Sequence, residues 1–216
     1  MSNKLFGKVV LSALACLAIG LVARHVSARC NPSMSVLHGE GSYTTTSLGI
    51  PFDVEFEFDL REQNGVDKGW IYGKTWATPG VGFDPGFESH AKAHAVEFHG
   101  DIALFVVAHK RGTLGLLGEF MGLGTSDSAG VIQLIGARDG AFAGFADQIS
   151  ESFIWAPDQV PGDPTELFEA EALDDFGNPF PGYEGWTVRD YILAQLSELR
   201  GFPVHAGSDI SVCLRP

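Results

Sequence analysis

The stretch DVEFEFD, residues 53–59, alternates acidic and apolar side chains, and an Asn-Gly dipeptide follows at 64–65. Strict alternation predicts a β-strand that carries its apolar residues on one side and its acids on the other. Asn-Gly is the preferred centre of a two-residue type I′ turn. The sequence therefore predicts a β-hairpin formed by residues 52–62 and 67–76.

The turn also fixes the register of the hairpin, because it places Gln63 opposite Val66. On the apolar side, the ring of Phe56 is then expected to cover Gly73, a common way to compensate for a glycine in a strand. On the acidic side, the predicted pairs are Asp53 with Trp76, Glu55 with Lys74, Glu57 with Tyr72 and Asp59 with Trp70.

The acidic side of the hairpin interleaves carboxylates with three large aromatic residues, which a purely solvated surface rarely displays. Aromatic rings beside carboxylates suit a glycan or a small amphipathic molecule, because CH groups stack on the rings while hydroxyl groups donate to the acids. The alternative is that the late helix described below packs over the same aromatic residues. The predicted ligand-binding residues are Trp70, Tyr72, Trp76, Glu57 and Asp59.

The first 28 residues contain three basic side chains and no acid, and they enclose an apolar run at 9–23. A basic start, an apolar run of this length and a small-x-small ending at Ala28 are typical of a secretory signal peptide. An uncleaved membrane anchor is the rival interpretation, but the run is shorter than the roughly 20 residues that span a bilayer. The sequence therefore predicts a secreted or periplasmic protein without stable membrane insertion after cleavage.

Cleavage after Ala28 would leave residues 29–216, a length that suits a single domain. The mature chain would carry 11 basic and 27 acidic residues, because three of the 14 basic residues lie in the signal, so its net charge would be −16. Such a charge repels nucleic acid and anionic membranes, and it favours solubility, cations or basic partners. In an oxidising compartment, Cys30 and Cys213 are predicted to form a disulfide that stabilises the fold by up to ~5 kcal/mol.

A different composition marks residues 156–203, where prolines, glycines and acids form an insertion that contains one predicted helix. Thr187 is the expected N-cap, with Asp190 three residues later, and Gly201 is the expected stop signal. The predicted apolar stripe of this helix consists of Val188, Ile192, Leu196 and Leu199.

Short β-like runs separated by turn residues fill most of the chain before this insertion, and 147–155 reads as one further strand. The segment 208–213 reads as the last strand. We therefore predict an all-β fold, a single β-barrel or β-sandwich of about nine or ten antiparallel strands. One late α-helix is inserted before the last strand.

The order of the segments FEFDLREQNGVDKGWIYG, VEFHGDIALFVVAHKRG, GARDGAFAGFADQIS and GSDISV resembles small secreted all-β domains of bacterial extracellular and surface proteins. Most of those domains have no assigned activity. The resemblance spans most of residues 36–213 and departs from the pattern at 156–203. It implies a fold and secretion, and no active site. The matching positions are Asp147, Ile149, Gly207, Asp209, Ile210 and Val212.

No motif in the sequence predicts a cofactor, a metal site or a catalytic residue. His90, His94 and His99 lie close together in the chain, but on a strand they would be split between two faces. We therefore expect a secreted binding or structural module. The alternative is a small barrel enzyme, such as an isomerase, cyclase or hydrolase, that binds a hydrophobic substrate in a cavity with His94 or Glu97 as acid–base.

Overall fold

A computed structural model describes residues 33–47, 50–77, 87–113, 132–141, 143–174 and 176–216. The predicted signal peptide, Cys30 and the glycine-rich segment 114–131 lie outside these described residues. The strands are β1 Ser35–Ser47, β2 Ile50–Gln63, β3 Val66–Ala77, β4 Phe87–His99, β5 Ile102–Thr113, β6 Ile132–Arg138, β7 Gln148–Ile149, β8 Phe153–Trp155, β9 Phe202–Pro203 and β10 Asp209–Cys213. Helix α1 spans Val188–Ser197, and two 3₁₀ helices span Pro157–Gln159 and Pro164–Glu169.

All ten of these strands belong to one antiparallel sheet with the order β10-β1-β2-β3-β4-β5-β6-β7-β9, and β8 also pairs with β6. The sheet curls into a half-barrel, so that Val204, just after β9, forms a bridge with Tyr43 of β1. The predicted all-β fold with one late helix before the final strands is confirmed. Within the described ranges, no helix is long and apolar enough to cross a membrane.

The predicted hairpin is present as β2 and β3, and every predicted pair is found, from Asp53 opposite Trp76 to Gln63 opposite Val66. Asn64 and Gly65 both have positive φ angles, as a type I′ turn requires. The prediction that the ring of Phe56 covers Gly73 is wrong. Only Ser89 Oγ lies within 4 Å of the position that a Cβ at Gly73 would take. The strand glycine under an aromatic ring is instead Gly39, where an added Cβ would collide with Phe58.

Residues 102–107 of β5 are buried on both faces of the strand, which divides the apolar residues into two clusters. Phe105 and its alternate neighbours point to the inside of the curl. There the ring of Phe56 stacks on that of Phe58 at a centroid distance of 5.3 Å, and the ring of Phe58 lies tilted against that of Phe105 at 5.5 Å. Leu104 and Val106 point outwards to the insertion. Side chains of β2 and β5 therefore pack against each other on the inside of the described part of the half-barrel.

Two aspartates cover the free edge of β10, which would otherwise expose unpaired N–H groups. Asp147 accepts from the N–H of Ile210 at 2.8 Å, and Asp139 accepts from the N–H of Val212 at 3.2 Å. Burial raises the pKa of Asp139 above its usual value, although both backbone donors that it meets lower it. Carboxylates thus take the place of a neighbouring strand at this edge.

Helix α1 begins as predicted, since the Thr187 hydroxyl accepts from the N–H of Asp190 at 3.1 Å. Its end differs from the prediction, because Leu199 adopts a left-handed φ of 59° and the helix stops before Gly201 is reached. Leu199 is 49% exposed, so the buried apolar stripe ends at Leu196. The end is closed by bonds from the Leu199 N–H to Leu196 O (3.3 Å) and from the Arg200 N–H to Gln195 O (2.7 Å).

The segment 147–155 is not one strand, as predicted, but two short strands, β7 and β8, that both pair with β6. The break lies at Ser150, whose hydroxyl accepts from the N–H of Gly136 and donates to the carbonyl of Glu151. This side chain competes for backbone groups that a continuous ladder would use.

Candidate functional site

The acidic side chains of β2 form part of a wider surface, here named the acidic face, which is the outer surface of β1, β2 and β3. Its central row crosses the sheet in register: Asp209 of β10 lies opposite Glu40 of β1, Glu40 opposite Glu57 of β2, and Glu57 opposite Tyr72 of β3. The three acids are exposed. Like charges placed directly opposite each other destabilise a sheet, so this row needs an explanation.

Two of the three predicted aromatic residues have described side chains on the acidic face. Trp70 is 44% exposed, and Tyr72 is half-buried with its ring 5.0 Å from that of His90. The pKa of Tyr72 is raised, first by lost hydration and then by the charges of Glu88 and Glu55. The side chain of Trp76 lies outside the described residues, and only its backbone pairing with Asp53 is seen.

The predicted acids differ in their surroundings. Asp59 is paired with Arg61, whose guanidinium donates two hydrogen bonds to it at 2.7 and 3.0 Å. Within the described residues, neither Glu57 nor Glu40 forms an ion pair. The charges of Glu40 and Glu57 are therefore not balanced by an ion pair with another described residue.

A shallow depression of about 480 Å³ lies beside this row. Its acidic lining consists of Glu40, Glu55 and Glu57, and Tyr72 adds the edge of an aromatic ring. The turn that precedes β10 forms the opposite border. The depression therefore offers hydrogen-bond acceptors and one ring to a small ligand. Its lining is completed by Gly41, Ser42, Phe56, Ala206, Gly207 and Ser208.

At the border of the depression, a histidine lies between two hydroxyl groups of β1. His205 Nδ1 is 3.0 Å from Ser42 Oγ, and His205 Nε2 is 3.0 Å from Thr44 Oγ1. Thr44 in turn donates to the Asp53 carboxylate at 2.7 Å. Sequence reasoning missed this group, because His205 lies more than 160 residues from its partners. The one signal in the sequence was that hydroxyl residues occupy alternate positions of β1, such as Ser42 and Thr44.

The late helix does not cover the acidic face. It packs on the outer surface of β5 and β6, here named the covered face, where Ile192 and Leu196 lie against Gly136. Glu97 is held there by two hydrogen bonds from Arg189, at 2.8 and 2.7 Å. This contact ties the insertion to β4.

His109 and His99 lie in separate surroundings, away from the depression. His109 is buried and bonds to Gln133 at 2.6 Å, and burial lowers its pKa. Glu97 also meets His99 at 3.2 Å, in addition to Arg189. Over the described ranges, no three histidine, cysteine, aspartate or glutamate side chains converge on a point that could hold a metal ion.

Cys213 is buried at the end of β10, opposite Val36 near the start of β1. Cys30, its predicted partner, lies six residues before Val36 and outside the described residues. The disulfide therefore stays a prediction, although the fold does place the start of β1 beside the end of β10.

Comparisons with known protein families, with curated proteins and with solved structures find no match for this chain.

Proposed function

We propose that the protein is an exported binding module that holds a small amphipathic ligand on the acidic face. The observation that carries this proposal is the pair of exposed acids Glu40 and Glu57, which lie in register with each other and with Tyr72. A positively charged group placed on this row would relieve the repulsion between the acids. The exposed ring of Trp70 and the ring of Tyr72 would take the apolar part of the ligand, and aromatic faces also attract cations.

Export is part of the proposal and depends on the N-terminal 28 residues and on the resemblance to secreted all-β domains. The intact mass of the protein recovered outside the cytoplasm tests it. We expect a chain that begins at Arg29 and that lacks two hydrogens relative to its reduced form, as a Cys30–Cys213 disulfide requires. A retained N-terminus, or two free thiols, would contradict this part alone.

Binding is tested by titration calorimetry with three ligands that share one alkyl chain and differ in the head group: trimethylammonium, glucoside and sulfate, each below its micelle concentration. We expect the ammonium ligand to bind best and the sulfate ligand not to bind. Glu57→Gln should weaken only the ammonium ligand, whereas Trp70→Ala should weaken both the ammonium ligand and the glucoside. Val66→Ala, at another exposed apolar residue of β3, is the matched control and should change nothing.

A glycan is the second candidate ligand, because the exposed ring of Trp70 lies in register with Asp59 and suits a sugar ring with donor hydroxyl groups. Binding of the glucoside but not of the ammonium ligand, with retention on a glycan array that Trp70→Ala removes, would favour it. If all three head groups bind equally, or if neither variant changes the affinity, the acidic face is not the binding site.

The alternative of a barrel enzyme with an enclosed cavity receives no support from the described residues. Phe56, Phe58 and Phe105 fill the inside of the curl. Glu97, one of its two proposed acid–base residues, is held by Arg189 under the insertion.

A further inference from the structure

We propose that Ser42 is a nucleophile that accepts an acyl group from an ester, with His205 as its general base. This activity goes beyond ligand binding and does not depend on which ligand the acidic face takes. The activity depends on a chain of side-chain hydrogen bonds, here named the relay, between three separate parts of the fold. Its members are Ser42 and Thr44 on β1, Asp53 on β2, and His205 in the turn after β9.

The hydrogen bonds assign the protons along this relay. Thr44 has a single hydroxyl proton, and it donates that proton to the carboxylate of Asp53 at 2.7 Å. Its oxygen must then accept at the 3.0 Å contact with His205, so Nε2 of His205 carries the ring proton. In a neutral imidazole, Nδ1 is then the acceptor, and it faces the Ser42 hydroxyl at 3.0 Å. A base oriented by a third group is the arrangement that activates a serine.

The relay differs from the usual serine–histidine–acid arrangement in two respects, because Nδ1 faces the nucleophile and a threonine hydroxyl lies between the imidazole and the acid. The functional roles are nevertheless preserved. Asp53 and Thr44 are positioning residues that fix the tautomer and the plane of the ring. Ser42 and His205 are the groups that would meet the substrate.

Substrate access is provided by the depression, since Ser42 lines it together with Ala206 and Gly207 of the turn after His205. A carbonyl carbon placed in the depression would lie beside the hydroxyl of Ser42. The carboxylates of Glu40 and Glu57 line the same space, so neutral or positively charged esters would enter more readily than anionic ones.

In the first step, Ser42 Oγ forms a bond to the ester carbonyl carbon while its proton moves to His205 Nδ1. The bond between that carbon and the alcohol oxygen then breaks, and the leaving oxygen takes the proton back from His205. The product is an acylated Ser42 and a free alcohol. A water molecule, deprotonated by His205 in the same way, attacks the acyl carbon and returns Ser42 and a carboxylic acid, so no oxidant or reductant is needed.

The side-chain bonds of His205 could also serve only to hold its turn on β1. That purpose is already met by other contacts. The N–H of His205 donates to Ser42 O at 2.8 Å, Ser208 Oγ accepts from the N–H of Ser42 at 3.0 Å, and Val204 forms a bridge with Tyr43. The turn would therefore stay on β1 without the side-chain bonds of His205. Activation of Ser42 accounts for the arrangement of protons in the relay.

The test is covalent labelling of the full mature protein with an alkyl fluorophosphonate, followed by peptide mass spectrometry. We expect the adduct on Ser42, with at least a tenfold loss of labelling rate in His205→Gln. Thr44→Val should slow labelling roughly tenfold, a factor that equals about 1.4 kcal/mol, and Thr44→Ser should restore it. Thr46→Ala, at an exposed residue two positions further along β1, is the matched control and should label at the wild-type rate.

Several results would overturn the proposal: no adduct on Ser42 in the folded wild-type protein, an adduct that is equally abundant on the exposed Ser152, or unchanged labelling in both His205→Gln and Thr44→Val. Because the adduct is mapped on the wild-type protein, the result does not depend on whether every variant folds. A purely structural role would predict no labelling and no rescue by Thr44→Ser.

Discussion

The insertion covers the outer surface of the sheet at β5 and β6, whereas acidic side chains at the centre of β1 and β2 are exposed in the part of the chain that the structure describes. The covered face presents apolar and small side chains, and at Gly136 an added Cβ would be 2.4 Å from Ile192. The acidic face presents Glu40 and Glu57 at the corresponding outward positions. Burial of unpaired carboxylates is costly, so a helix can close on the first surface and not on the second. The side chains of the sheet therefore decide which surface remains available to a ligand.

Two arginines fix the insertion to the covered face. Arg138 is buried, and it bonds to Asp101 at 3.0 Å and to the carbonyl of Leu196 at 2.8 Å, near the C-terminus of α1. Arg189, near the start of α1, holds Glu97 and also pairs with Glu169. Both ends of the helix are thus joined to the sheet by charged hydrogen bonds, which are about twice as strong as neutral ones.

Ile192→Ala gives the largest expected effect, a loss of about 3–4 kcal/mol in the free energy of unfolding. Ile192 is fully buried between α1 and the sheet, and truncation leaves a cavity. Trp70→Ala on the acidic face is the comparison and should cost about 1 kcal/mol, because the ring is already 44% exposed. Chemical denaturation measures both values. Similar losses in the two variants would mean that the covered face does not contribute more to stability than the acidic face.

The hairpin register could be predicted from the sequence because it depends on local rules. An Asn-Gly turn and a two-residue alternation fix which side chains are neighbours, and all predicted pairs between Asp53 and Val66 are found. The docking position of α1 could not be predicted in the same way. It depends on Gly136, whose missing side chain makes room for Ile192, and the sequence alone does not show which glycine a helix will approach.

Gly136→Ala should cost about 2–3 kcal/mol, because its new methyl group would displace Ile192 and Leu196 from the covered face. Gly73→Ala is the matched control on β3. Its methyl group would meet only Ser89 Oγ, at 3.7 Å, so we expect unchanged or slightly increased stability. Differential scanning calorimetry compares the two. Equal destabilisation by the two substitutions would show that the effect comes from replacing a glycine within a strand and not from contact with the helix.

The stability of the covered face should also depend on pH through Glu97. The hydrogen bonds from Arg189 lower the pKa of Glu97, although partial burial opposes this effect. Because this pKa is lowered in the folded protein, Glu97 makes its full contribution to stability above the ordinary glutamate pKa of about 4.3. That contribution is lost as the pH falls through the lower pKa of the folded state. Glu97→Gln should therefore cost ~2 kcal/mol at neutral pH and progressively less below pH 4.

The measurement for Glu97 is the difference between wild-type and variant unfolding free energies from pH 7 to pH 3. Asp67 and Asp139 have raised pKa values because of burial, so they act in the opposite direction, but both are present in the two proteins and cancel. A difference that stays constant across this range would show that the carboxylate does not act through its charge.

The candidate site could be predicted only in part, for a similar reason. Glu57 and Tyr72 belong to one hairpin, so their contact follows from the turn. The row of acids forms because β10 pairs with β1 and places Asp209 opposite Glu40. The relay forms because the turn after β9 places His205 beside Ser42 of β1. Both depend on contacts between β1 and the last residues of the fold, 202–213, which no local pattern encodes.

Glu57→Gln gives the smallest expected effect and tests the acidic face most directly. If the in-register acids repel each other, loss of one charge should increase stability by roughly 0.5 kcal/mol at low ionic strength. The gain should disappear near 1 M salt, where the screening length falls to about 3 Å. Glu171→Gln, an exposed acid of the insertion, is the control and should be neutral at both salt concentrations. A loss of stability in Glu57→Gln would mean that a cationic side chain of the chain already compensates the row, and a ligand would then have to displace it before it could bind there.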